Sequence, residues 1–108
     1  MDTTQLLKGV LDLAVLEVLR EQDGYGYEIV THLREAGLEA VGEASVYGTL
    51  RRLHAEGLLE SYTEPSESGP HRRYYRVTGR GETRRHELAK TWRRFVEVMD
   101  GIVEEAHR

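Results

Sequence analysis

Residues 42–78 constrain the fold more than any other part of this chain, because they set a short helix, a glycine stop and an Arg-bearing hairpin in immediate succession. Val46, Leu50 and Leu53, spaced by four and three, predict a helix over residues 43–56 with a single apolar stripe. Gly42 serves as its N-cap and Gly57 ends it. Residues 58–64 and 73–77 are rich in β-branched and aromatic side chains and read as strands, with residues 65–70 between them as a long hairpin loop. A helix offering small and basic residues outward, beside a two-stranded wing whose loop carries His71, Arg72 and Arg73, has the layout of a winged helix.

The flanking segments extend this plan. Residues 5–21 carry apolar side chains on nearly every face (Leu6, Leu7, Val10, Leu11, Leu13, Ala14, Val15, Leu16, Val18, Leu19). Such a helix must be buried on more than one side, and one domain of 108 residues covers only one side easily, so a partner surface is implied. Lys8, Asp12 and Glu17 interrupt the run, which excludes a signal peptide or a membrane span there. After the break at Gln22-Asp23-Gly24, Ile29, Val30 and Leu33 mark a second helix that stops at Ala36-Gly37.

A last helix starts from Thr78 as N-cap, with Gly81 where a capping box would have Glu. Along it Leu88, Trp92, Phe95, Met99, Ile102 and Ala106 recur at spacings of 4, 3, 4, 3 and 4, the seam of a coiled coil, widened by Val96 and Val103. At a rise of 1.5 Å per residue the helix is roughly 40 Å long, more than residues 1–78 can flank. A two-fold homodimer is the expected solution. The expected class is therefore mainly α with a small β-wing: a winged helix-turn-helix at 1–78 and a long C-terminal dimerisation helix at 79–108.

The net charge of −4 argues against nucleic-acid binding only until it is divided. Residues 1–43 carry −6, whereas residues 70–94 carry +7, and this local block could meet phosphates. The absence of cysteine rules out disulfides and thiolate metal sites and fits a cytoplasmic protein. His32, His54, His71, His86 and His107 contain no i, i+4 pair, so no metal is expected. Gly24-x-Gly26 and Gly79-x-Gly81 lack the third glycine of a nucleotide fingerprint, and no nucleophile elbow or catalytic carboxylate pair is present. Neither cofactor nor enzymatic activity is expected.

In a helix-turn-helix the later helix enters the major groove. The face opposite Val46, Leu50 and Leu53 is centred on Ala44, Gly48, Arg51 and Ala55, small enough for close approach. Tyr47 and Arg51 lie towards one rim and Ser45 and Arg52 towards the other. Gly48 costs about 1 kcal/mol of helix propensity relative to Ala, tolerable if close approach compensates. At the wing tip His71, Arg72 and Arg73 would contact phosphates or enter a minor groove. Arg76, Arg80, Arg84 and Arg85 either extend that positive surface or pair with acidic neighbours. Duplex DNA is the expected ligand. The competing reading is an interaction module whose basic wing binds an acidic protein or RNA, since the fold does not fix the ligand; the small outer stripe with Tyr47 and Arg51 favours DNA.

Three motifs in order, Tyr25-Gly26-Tyr27-Glu28-Ile29, then Ser45-Val46-Tyr47-Gly48-Thr49-Leu50-Arg51-Arg52-Leu53 with Glu56-Gly57-Leu58-Leu59, then Arg72-Arg73-Tyr74-Tyr75-Arg76-Val77-Thr78 with Gly81, carry a family resemblance over essentially the whole chain. The chain resembles the PadR family of winged-helix transcriptional regulators, in its short subfamily with one C-terminal helix. Many members have a hydroxyl cap where Gly42 stands and Pro where Gly48 stands. The resemblance adds Thr49 to the DNA-facing set and implies a homodimer that usually represses, binds a palindromic operator and often responds to a small molecule. Trp92 lies fourteen positions after Thr78, as does a Trp in multidrug-responsive relatives, where paired tryptophans sandwich planar aromatic compounds. Trp92, Phe95 and Met99 are accordingly the candidate effector contacts, against the stronger reading that Trp92 simply packs the dimer seam with Leu88, Phe95, Met99 and Ile102.

Overall fold

The computed structural model describes residues 10–67 and 69–105. Leu6, Leu7, Ala106 and His107 lie outside that range. In chain order the described elements are α1 (Leu11–Val18), β1 (Gly24–Tyr25), α2 (Gly26–Glu35), α3 (Glu43–Ala55), β2 (Leu59–Ser66), β3 (Gly69–Val77) and α4 (Gly79–Glu105). The fold is mainly α with a small antiparallel wing. Among the described residues no helix is long and apolar enough to cross a membrane.

The core lies where α1, α2 and α3 meet the base of the wing. Val15 and Leu16 of α1, Ile29, Val30 and Leu33 of α2, and Val46, Leu50 and Leu53 of α3 are all buried, closed below by Leu58, Leu59 and Tyr75. Burial of a side chain of this size contributes about 1.5–3 kcal/mol, so the three stripes fix the helices against one another. Leu13, Ala14 and Val18, on the remaining faces of α1, are only half-buried within one chain.

Two glycines set the connections. Gly37 and Gly57 adopt φ of +121° and +78°, a region other residues rarely enter. In both places the glycine's own amide and the one after it reach back into the helix: Gly37 N–H to the Arg34 carbonyl and Leu38 N–H to the Leu33 carbonyl, then Gly57 N–H to the His54 carbonyl and Leu58 N–H to the Leu53 carbonyl. These are Schellman closures. Arg34 then donates from Nε and Nη2 to the Val41 carbonyl at 3.1 and 2.9 Å, binding the linker to α2 and fixing where α3 begins.

The wing differs from its sequence reading in two ways. It has three strands, ordered β1-β3-β2, because Gly24 and Tyr25 pair with Tyr75 and Tyr74. A two-residue strand is too short for alternation to reveal it. The hairpin is also longer than expected: β2 and β3 pair from Leu59↔Val77 out to Ser66↔Gly69, with an irregularity between Glu64 and Ser66. Pro65 sits at that irregularity on an edge strand, and Pro70 lies beyond the reach of β1, positions where a missing amide is tolerated. His71, Arg72 and Arg73 therefore belong to β3 and not to a loop tip.

Thr78 caps α4 in the expected manner. Its Oγ1 accepts from Gly81 N–H at 3.0 Å and donates to the Gly57 carbonyl at 2.8 Å, so one side chain ties the new helix to the end of α3. Gly81, Arg85 and Ala89 are buried and Leu88 packs against the core, after which the helix runs on with its apolar residues uncovered.

Candidate nucleic-acid interface

Helix α3 presents Ala44, Ser45, Arg51 and Ala55 to solvent, with Gly48 half-buried between them. Nη2 of Arg51 lies 3.9 Å from where a Cβ on Gly48 would stand, so this guanidinium leans over the smallest part of the stripe. Arg51 forms no ion pair among the described residues.

Thr49 and Arg52 depart from the expected set. Thr49 is buried, because positions 46, 49, 50 and 53 form one helical face and that face is the core. Arg52 is exposed but turned back: its guanidinium is held by Asp12 of α1 and by Glu56, 3.2 Å away. Its pKa is raised first by the Asp12 hydrogen bond. It ties α3 to α1.

The outer face of the wing carries a stack that spacing alone did not disclose. Tyr25, Tyr74 and Tyr62 stand side by side across β1, β3 and β2. Tyr74 meets Tyr25 edge-on with centroids 5.4 Å apart and Tyr62 nearly parallel at 5.7 Å. Arg72 caps one end, 4.6 Å over Tyr25, and Arg76 the other, 5.4 Å over Tyr62. The Tyr62 hydroxyl donates to Asp23 at 2.5 Å, and this bond to a carboxylate pushes its pKa up to about 12. The alternation Arg72, Tyr74, Arg76 along one strand is the sequence signal that could have exposed the stack.

Two of the arginines further along, Arg76 and Arg85, pair with acidic neighbours. Arg76 pairs with Glu60 across the hairpin at 2.9 Å. Arg85 is buried between α1 and α4, where it grips both oxygens of Glu82 at 3.1 and 2.9 Å and reaches Glu17 at 3.0 Å. Those bonds raise the Arg85 pKa, and the Arg85 hydrogen bond is the main reason that the Glu82 carboxyl is lowered. Both arginines are structural. Arg72 and Arg73 form no ion pair among the described residues, and they border a cleft of about 350 Å³ with Tyr25, Gly26, Tyr47 and Tyr75.

On α4, Trp92, Phe95, Met99 and Ile102 are exposed, and Leu88 is half-buried. The rings of Trp92 and Phe95 tilt at 35° with centroids 6.3 Å apart. Val98 and Val103 are exposed beside them, so the stripe is wider than the heptad seam.

Three helices, a glycine-bounded turn before the third and a wing after it define a winged helix-turn-helix, here with a long helix appended. The model of the PadR-like transcriptional regulator family matches residues 15–87, and the chain belongs to that family, whose members are transcriptional regulators and not enzymes. It is 32% identical over 106 residues to an uncharacterised protein of Lysinibacillus sphaericus, covering 96% of this chain and 97% of that protein. The crystal structure of a PadR-like transcriptional regulator from Bacillus cereus strain ATCC 14579 is 33% identical and covers 92% of this chain and 96% of its own, with a TM-score of 0.82. The fold also matches Bacillus subtilis PadR, solved in complex with operator DNA, at 24% identity and TM-score 0.69 over 74% of this chain and 46% of that one.

Proposed function

We propose that this regulator is a cytoplasmic homodimer that binds a palindromic operator through α3 and the wing, represses from it, and is released by a planar aromatic effector held near Trp92. The observation that carries the DNA reading is the cleft in which Tyr47 of α3, a helix whose exposed face is small and carries Arg51, meets Arg72 and Arg73 of the wing, two arginines with no acidic partner among the described residues. The operator complex of Bacillus subtilis PadR supports the same choice of ligand. An acidic-protein module would more often carry apolar side chains on the outer face of α3.

Selection from a random duplex pool should enrich a palindrome with half-sites about one helical turn apart. Arg51→Ala should lose about 1–3 kcal/mol on the selected duplex and relax preference at one base pair per half-site. No enrichment, or enrichment of RNA in a parallel pool, would overturn the DNA reading.

The effector reading rests on the exposed Trp92, Phe95 and Met99, a flat apolar lining that a two-fold dimer would present twice. Release follows if the bound guest favours a spacing of the two α3 helices that no longer fits the half-sites. Titration with phenolic acids and planar cationic drugs should quench Trp92, the only tryptophan, and weaken duplex binding in parallel. Equal binding by Trp92→Ala would leave Trp92 as a packing residue.

A further inference from the structure

Gly26 is buried at the start of α2, and a Cβ placed on it would fall 2.1 Å from Cε1, 2.6 Å from Cζ and 2.9 Å from the hydroxyl of Tyr47. The Tyr47 ring therefore rests on the α2 backbone, in space that only glycine leaves open. That contact brings the ring of α3 to the same cleft that Arg72 and Arg73 enter from β3. Arg72 stands directly opposite Glu64 in the ladder, yet its guanidinium lies over Tyr25, which holds its flat face and leaves the N–H edge available.

We propose that this cleft seats one phosphodiester of the DNA backbone, with the Tyr47 hydroxyl donating to a phosphate oxygen, Arg72 and Arg73 supplying the positive charge, and Gly26 acting as the positioning residue for Tyr47. The inference rests on duplex DNA being the ligand. A phosphodiester is a monoanion with two free oxygens, which matches two guanidiniums and a phenol; a base edge offers no net charge to balance them. The bases would instead lie beneath Ala44, Gly48 and Arg51. Tyr47 thereby moves from a groove-rim donor to a backbone contact that fixes the register of α3 while carrying little sequence preference itself.

The test uses the selected operator with single methylphosphonate substitutions, which remove one backbone charge at a time. One phosphate per half-site should weaken wild-type binding about tenfold when neutralised, as expected for a charge-assisted contact. Tyr47→Phe should weaken unmodified specific and scrambled duplexes by a similar factor, and the penalty for neutralising that same phosphate should shrink, the signature of a coupled pair. Its salt slope should stay at the wild-type value, whereas Arg73→Ala should reduce the slope by about one. Gly26→Ala should behave as Tyr47→Phe does while melting near wild type, because the displaced ring can swing into solvent. If Tyr47→Phe binds as wild type, or keeps the full penalty at that phosphate, the seat does not exist, although specific binding and the Arg51 effect stand. Should wild-type protein bind no duplex, the DNA reading and the seat fall together.

Discussion

Gly81→Ala is expected to destabilise the protein by about 3 kcal/mol, a small-to-large change with nowhere to relax. A Cβ at this position would lie 2.1 Å from the Leu58 carbonyl oxygen and 2.7 Å from Cγ1 of Val77. The carbonyl cannot retreat, because it accepts the Thr78 amide at 3.1 Å and belongs to the segment pinned by the Gly57 closure. Alanine gains about 1 kcal/mol of helix propensity over glycine, so the clash decides the sign. Gly101, in the same helix, meets nothing within 4 Å, and Gly101→Ala should therefore stabilise by about 1 kcal/mol. Urea midpoints at one fixed protein concentration check both, since the stability of the proposed dimer would vary with concentration. A Gly81→Ala protein as stable as wild type would mean that α4 is not docked on Leu58.

How far the fold could be read beforehand follows the range over which each signal acts. The α3 stripe, the glycine stops and the long α4 with its apolar stripe were legible because each is written in neighbouring residues, with periods that physics fixes. Thr49 is legible as a core position, since it sits three after Val46 and four before Leu53, inside the apolar stripe, whereas the family motif sets it among the DNA-facing residues. Arg52 and Arg85 were a different matter. Their local partners, Glu56 and Glu82, stand at helical spacing, but Asp12 and Glu17 lie 40 and 68 positions away, and no local pattern reports a pairing created by tertiary packing. The Gly26–Tyr47 contact belongs to the same class, since a glycine opening a helix looks alike whether it admits a turn or another residue's ring.

Phe95→Glu is expected to turn the proposed dimer into monomers and to remove the proposed tight operator binding with it. Phe95 is 55% exposed in the single chain and sits mid-stripe between Trp92 and Val98, Met99 and Ile102, none of them covered by their own chain. A second copy related by a two-fold axis would remove these side chains from water, each contributing about 1.5–3 kcal/mol if fully buried. Two glutamates brought to one seam would face desolvation without a partner and would repel each other, which together exceed what the remaining contacts return. Loss of the dimer unlinks the half-sites, so duplex affinity should fall by about 10²–10⁴-fold even though each α3 is intact. Light scattering and duplex titration at matched concentrations read the two consequences. Lys90→Glu, on the opposite side of α4, serves as the control that should leave the dimer whole. A Phe95→Glu protein that is still a folded dimer would place the two-fold interface away from the α4 stripe, and the half-buried Leu13, Ala14 and Val18 of α1 would then be the surface to alter next.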